Sequence, residues 1–543
     1  MRFTDLVYRF TLIAYSILLI SILLIFPKSS YSQEQGRFKN GIGSRIIQEK
    51  NSSTIPEQLA TLQANIHRLI EKAEPAIACI SISRSEQYRN FTTPKEGAKE
   101  GAASPGKLGI FDARSMRMHM HHLNQEQREL INKLDLSSAD SFPESYGSGV
   151  VIHEKGLILT NYHVVRGAKK IYVRLPGGIG SYADILAADG RSDLAILKMI
   201  QIPPQLPVIP FGDGDKLHKG DFVLSIANPF AIGFQDGGAS VSWGIISNLN
   251  KKAPKKNLIS DTDTDRNRPL QEYSIMIQTD TKLCLGCSGG AILNMEGKLI
   301  GLSSATAGII GGEKAGGFAL PMSSNIKRMI AVLERGEEVE YGLLGISIAR
   351  DFFGRQSPFS RNGIRIQEAT AGLPAARSGL RRGDTIIAIN DEKVNEFDDL
   401  FLAVGAQLAG TKVTLQVLSP TGDLRRVNLE LAKANPVGES IVSKKTEMVM
   451  GLSVDYTSIL MQSTDINLPM GVLVRELIPN SIAGRKLKPI KDGDRIIIQK
   501  VNDKTVLNPK DFYTICKGLN QLKLEIIDLT RDPESTRRTI YLP

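Results

Sequence analysis

The sequence predicts a mainly β chain, with a long all-β domain that ends near residue 330 and two copies of a smaller module after it. Three observations predict this. From Ala76 onward the chain runs in brief apolar, β-branched stretches bounded by Gly, Asn and Asp: IACISI, GSGVVI, LILTNYHVV, KIYVRL, DFVLSIA and WGIISNL. Such runs are the pattern of strands joined by tight turns. Further on, Gly363–Asp384 resembles Gly471–Asp494, and each copy leads into an apolar strand, Thr385–Asn390 and Arg495–Lys500. A spacing of 110 residues between Asp384 and Asp494 suits whole modules, not a solenoid repeat. Finally, 543 residues with 42% hydrophobic and 23% charged side chains can bury several cores. Four cysteines (79, 284, 287, 516) are too few to staple small domains together.

Residues 1–32 read as an export signal, because Arg2 and Arg9 precede the uncharged run Phe10–Phe26, and Lys28 and a Ser-rich stretch follow it. Cleavage after Ser32 and retention as an anchor, with attachment to the membrane, both fit. Either places the working chain outside the cytoplasm, in the periplasm. Residues 33–55 read as a flexible spacer. Leu59, Leu62, Ile66, Leu69 and Ile70 then recur at helical spacing up to Pro75, which predicts a short lead helix. The β domain covers 56–334 and carries long loops at 86–145 and 250–270. The stretch 433–446 has the Pro, Gly and Ser of a linker, so the modules are expected at 340–434 and 446–543. The 67 basic and 57 acidic residues leave a net charge of +10, spread without a long basic run or interleaved aromatics. No nucleic-acid partner is expected.

The sharpest chemical signal is Gly286-Cys287-Ser288-Gly289-Gly290. A serine hydroxyl is a weak nucleophile; it needs a base and a turn whose N–H groups converge on the developing oxyanion. Flanking glycines permit that turn. Of the seven histidines, His119, His121 and His122 fall in the 86–145 loop, whereas His163 closes a strand in Thr160–Val165. Asp193, in Arg191-Ser192-Asp193-Leu194, opens another apolar strand and can fix the histidine tautomer. The order His, Asp, Ser is that of chymotrypsin-type enzymes.

These residues resemble the HtrA (Deg) family of exported serine proteases over about 57–543, with GSGVVI, LTNYHVV, RSDLAILK, FGDGDKL, GDFVLSIANPF, GIIS, IQTDTKLCLGCSGGAILNMEGKLIGL and GGFALP in the family's order. The resemblance implies a chymotrypsin-like double six-stranded β-barrel followed by two small α+β PDZ domains. It makes His163, Asp193 and Ser288 catalytic, Gly286 and Ser288 the oxyanion hole, and Leu283, Ser303, Ser304, Ala305 and Thr306 the substrate pocket. It also makes Gly342, Leu343, Leu344, Gly345 and Ile346 the peptide-binding loop of the first PDZ domain. The implied protein is an ATP-independent endopeptidase that needs no cofactor, acts on unfolded polypeptides and their C-termini, and assembles as a homotrimer or a multiple of trimers. A noncatalytic chaperone of the same fold is the alternative.

Two departures stand out. Cys287 replaces the family's usual Asn before the nucleophile, and Ala291 stands where Pro is common. Cys284 and Cys287 form a C-x-x-C pair, read either as a redox pair or as two unrelated small residues. The Met and His cluster at 116–122 offers soft ligands, but a solvated loop is the expectation. Asp261, Asp263, Asp265 and Glu272 match calcium-loop spacing, but Arg266 stands where the turn needs Gly. No metal is expected.

Overall fold

A computed structural model of the chain describes residues 56–84, 136–137, 143–229, 237–251, 270, 275–304, 317–348, 363–435, 439–444, 446–460, 468–487, 496–529 and 537–543. The export segment, the spacer, the 116–122 cluster, the acidic loop, Ala305 and Thr306 lie outside the described residues. No described helix is long and apolar enough to cross a membrane.

The lead helix forms as its spacing predicts. It is α1 (Glu57–Ala73), and Ile66, Leu69 and Ile70 pack against the main hydrophobic core. The first barrel comprises β1 (Ile77–Ser83), β2 (Ser145–His153), β3 (Leu157–Asn161), β4 (Lys170–Arg174), β5 (Gly180–Asp189) and β6 (Leu194–Met199). It closes because β5 changes partner along its length, pairing with β4 through Gly180–Ala183 and with β6 through Ala183–Asp189. Its β-branched and leucine side chains point inward, and Ile77, Ile80, Ile158, Leu159 and Ile196 are fully buried. The second barrel is closed in the order β10 (Ala291–Leu293), β11 (Leu299–Ser303), β12 (Gly317–Pro321), β9 (Met276–Thr279), β8 (Ser240–Lys251) and β7 (Phe222–Ala227). A one-turn helix α2 (Tyr162–Val165) follows β3, and α3 (Ser324–Leu333), capped by the Ser323 hydroxyl, ends the two-barrel domain.

The two C-terminal modules repeat one topology. The first is a sheet in the order β14 (Ile346–Ile348), β15 (Ile364–Ala369), β16 (Thr385–Ile389), β18 (Lys412–Leu418) and β19 (Leu424–Glu430), with β17 (Glu392–Lys393) folded back on β16 and helix α4 (Phe397–Gly405) before β18. A separate ribbon joins β13 (Gly342–Leu343) to β20 (Ala432–Lys433). The second runs β22 (Leu452–Tyr456), β23 (Val472–Leu477), β24 (Ile496–Val501), β26 (Leu522–Asp528) and β27 (Arg537–Leu542), with β25 (Lys504–Thr505) on β24 and α5 (Pro509–Cys516) before β26. The repeat extends to backbone detail. Asn390-Asp391 and Asn502-Asp503 both take left-handed φ, at 48° and 67° and at 49° and 64°. Such turns join strands whose twist suits a two-residue hairpin.

The linker departs from its composition. Ser440–Val442 forms a strand, β21, paired antiparallel with Ala187–Asp189 of β5. The reason lies in the barrel: β4 covers β5 only as far as Ala183, so the far end of β5 offers an open edge.

Candidate active site

The strand expected to end in His163 stops at Asn161. The Tyr162 N–H still bonds to the Asp193 carbonyl at 3.0 Å, in register with the Asn161–Leu194 pair, and the backbone then turns helical. His163 therefore sits on α2, between the barrels' facing ends. Asp193 does not open β6 but immediately precedes it, at φ 58°. Its carboxylate accepts the His163 N–H at 2.8 Å and lies 2.7 Å from His163 Nδ1. A carboxylate only accepts, so Nδ1 carries the proton and Nε2 is the basic nitrogen. The Asn161 side chain also donates to the Asp193 carbonyl, at 3.2 Å.

Ser288 lies on the loop before β10, tied to the first barrel through one residue of β2. Ser148 donates its N–H to the Ser288 carbonyl at 2.8 Å and its hydroxyl to the Gly286 carbonyl at 2.8 Å, and its own carbonyl accepts the Thr160 hydroxyl at 2.8 Å. The nucleophile loop and the strand leading to His163 thus share one hub. The loop requires its glycines: at Gly286 (φ 89°) a Cβ would stand 2.4 Å from the Tyr146 ring, and at Gly289 (φ 85°) 2.1 Å from the Ser148 carbonyl. Of the expected pocket residues, Leu283 packs over Gly317. Ser303 is buried, and its hydroxyl supports the loop by donating to the Cys287 carbonyl at 2.5 Å.

None of the four cysteines is in a disulfide. Cys284 is exposed and Cys287 buried, and the Cys284 N–H points at Cys287 Sγ across 3.1 Å. Hydrogen bonding from the Cys287 thiol holds Cys284 down to about 7, whereas that bond, together with burial, pushes Cys287 up. The predicted peptide-binding loop divides. Gly342 and Leu343 are committed to β20 and to Gln407, while Gly345 turns at φ 79° and Ile346 begins β14, half-buried on the first module's core. Among the described residues no group of three or more His, Cys, Asp or Glu could hold a metal.

The chain matches the trypsin-like peptidase domain over 147–302 and the PDZ domain over 335–418. It is 32% identical over 355 residues to a probable periplasmic serine protease do/HhoA-like of Haemophilus influenzae, covering 65% of this chain and 70% of that one. The chain belongs to the HtrA (Deg) family of serine proteases. This HtrA-family chain is a serine-type endopeptidase. It also shares 29% identity over 465 residues with a probable periplasmic serine endoprotease DegP-like of Pseudomonas fluorescens (83% of this chain, 88% of that one). With the periplasmic pH-dependent serine endoprotease DegQ of Escherichia coli it shares 34% over 281 residues (51% and 57%). Among solved structures, the HtrA-type protease AlgW with a decapeptide aligns over 68% of this chain and 99% of that one, at 25% identity and a TM-score of 0.43.

Sequence reasoning missed the residues that support the protease's site. Ser148 had a local signal, a small polar residue inside the apolar run GSGVVI. Asp189, three residues before Ser192, had the weaker signal of a carboxylate placed to cap a turn.

Proposed function

We propose that Ser288, His163 and Asp193 form the catalytic triad of an ATP-independent endopeptidase of the periplasm that cleaves unfolded or damaged polypeptides. The observation that carries this reading is the His163 Nδ1 to Asp193 Oδ2 contact of 2.7 Å beside a nucleophile loop built on obligatory glycines. Nε2 of His163 takes the Ser288 proton as Oγ attacks the peptide carbonyl and returns it to the leaving amine, while Asp193 supports the imidazolium. The Gly286 and Ser288 N–H groups receive the oxyanion. The first module acts as a PDZ domain that adds a substrate C-terminus to β14 and holds its carboxylate at the Leu344–Ile346 turn. The second, of identical topology, is a second PDZ domain. The working unit is a homotrimer or a multiple of trimers: Phe222 and Trp243 stack at 4.8 Å on adjacent strands, and both stay substantially exposed beside Val241, an apolar face suited to another copy.

The thiol pair is a point of control. Exchange with a small disulfide would join Cys284 to Cys287 and release two small thiols, turning the Gly286 peptide within the closed ring.

Purified protein is expected to degrade casein, and Ser288→Ala to abolish this. Free-acid peptides ending in an apolar residue are expected to bind, and their amides to bind weakly. A folded wild-type protein that neither cleaves nor reacts with a serine-directed phosphonate would make it a noncatalytic chaperone.

A further inference from the structure

The turn Asp189–Asp193, which presents the acid to His163, is held from outside both barrels. One Asp189 carboxylate oxygen accepts the Ser192 N–H at 2.8 Å and the Ser192 hydroxyl at 2.6 Å, and it also accepts the Tyr341 phenol. All three residues are buried. The Tyr341 backbone belongs to the first module: it bridges to Leu408, and its carbonyl accepts the Ala434 N–H at 2.7 Å. Its side chain reaches the other way, into the protease. Arg191, in the same turn, stacks 4.3 Å over the Tyr341 ring and 5.1 Å from the Phe401 ring of α4.

A second hold comes from Glu439, between the modules. Its carbonyl accepts the Gly190 N–H at 3.1 Å. Its carboxylate accepts the phenol of Tyr162, the residue before His163, and pairs with Arg166 at 3.3 Å. The next three residues are β21, zipped onto Ala187–Asp189. Burial pushes the Tyr162 phenol up to about 12 and the Tyr341 phenol well above its ordinary range, so both remain donors.

The turn needs this support. At Asp193 the backbone is left-handed, a conformation unfavourable for a non-glycine residue that persists only where surroundings enforce it. The ladder of β5 has ended and that of β6 begins only at Leu194. We propose that Tyr341 and Glu439 are positioning residues for the Asp193–His163 pair, fixing the turn that presents the acid to the imidazole. The inference rests on the catalytic reading above.

The test uses the full-length protein and a short fluorogenic peptide, so that substrate binding to the modules plays no part. Tyr341→Phe keeps the ring under Arg191 and removes only the hydroxyl. It is expected to lower kcat about 10- to 100-fold, the scale of a slightly displaced catalytic group, with KM within about twofold. Glu439→Ala is expected to lower kcat about 3- to 10-fold, and Glu439→Gln, which keeps an oxygen for the Tyr162 phenol, to restore most of it. Reaction rates with a serine-directed phosphonate should fall in parallel. Unchanged kcat in these variants, or a rise in KM alone, overturns the proposal. Should Tyr341→Phe fail to fold, Glu439→Ala decides, because its carboxylate is 65% exposed. A wild-type protein inert to the phosphonate overturns the catalytic reading itself, and the inference with it.

Discussion

The two walls of the cleft are held in place differently. The His163 and Asp193 wall leans on elements that follow the protease domain in the chain: Tyr341, Glu439 and β21. The Ser288 wall is supported within the protease domain, by Ser148 from β2 and Ser303 from β11, and it carries its own reactive group, the exposed thiol of Cys284. A serine protease needs both walls aligned, so under the proposed roles the difference separates two points at which the site can be perturbed. On the proposals above, the acid–base wall depends on Tyr341 and Glu439, and the nucleophile wall on local thiol chemistry.

The most severe way to break the comparison is at its base. Asp193→Asn should lower kcat by about four orders of magnitude, because an amide in that place favours the wrong imidazole tautomer; progress curves on the fluorogenic peptide check this. Against that background, the bracing variants described above should register as partial losses on the same wall.

Oxidation probes the other wall alone. Incubation with a small disulfide should cost about 10²–10³ in kcat through loss of one oxyanion donor, a dithiol should restore it, and Cys284→Ser should be active and insensitive. Mass spectrometry of the active-site peptide after alkylation without reduction identifies the bond; two alkylated cysteines would remove this point of control. The thiolate fraction of a group rises as pH climbs through its pKa. Alkylation of Cys284 should therefore reach half its maximal rate near pH 7, the value to which the Cys287 hydrogen bond holds it.

A smaller effect is expected where the modules meet. Lys433 is buried, its ammonium 3.1 Å from each of Glu338, Glu340 and Asp455, and Asp455 also meets Arg475 at 2.6 Å. Lys433→Met leaves those carboxylates with less compensation and should destabilise this junction by about 3 kcal/mol, the low end for a broken buried pair because Arg475 remains. Hydrogen exchange should show faster opening in β20, β22 and β21. If β21 loosens, kcat should fall with it; β21 staying protected would show that the linker's grip on β5 is independent of the modules.

The fold and the chemical groups were legible because their signals are local. Strand runs, the Gly-rich loop and the one histidine at the close of a β-rich run each occupy a few adjacent residues. What escaped were relations between distant positions. Tyr341 and Asp189 lie 152 residues apart, and Tyr162 and Glu439 lie 277 apart, and neither pair leaves a periodic trace. The stretch 433–446 was read from its Pro, Gly and Ser. Its fate as β21 depends on where β4 stops covering β5, a fact that resides in another part of the chain. Tyr-His-Val-Val is β-rich and points to a strand end, yet the backbone turns helical over Tyr162–Val165, directly after the last in-register bond to Asp193.

Trp243 is the chain's single tryptophan, and it lies on the second barrel's outer face, stacked on Phe222. Indole emission from the whole molecule therefore arises from one spot, 40% open to water when a single copy is considered. A shift of that emission to shorter wavelength with rising protein concentration would trace self-association directly, without any dye, and dilution back to the red would time the dissociation of the copies.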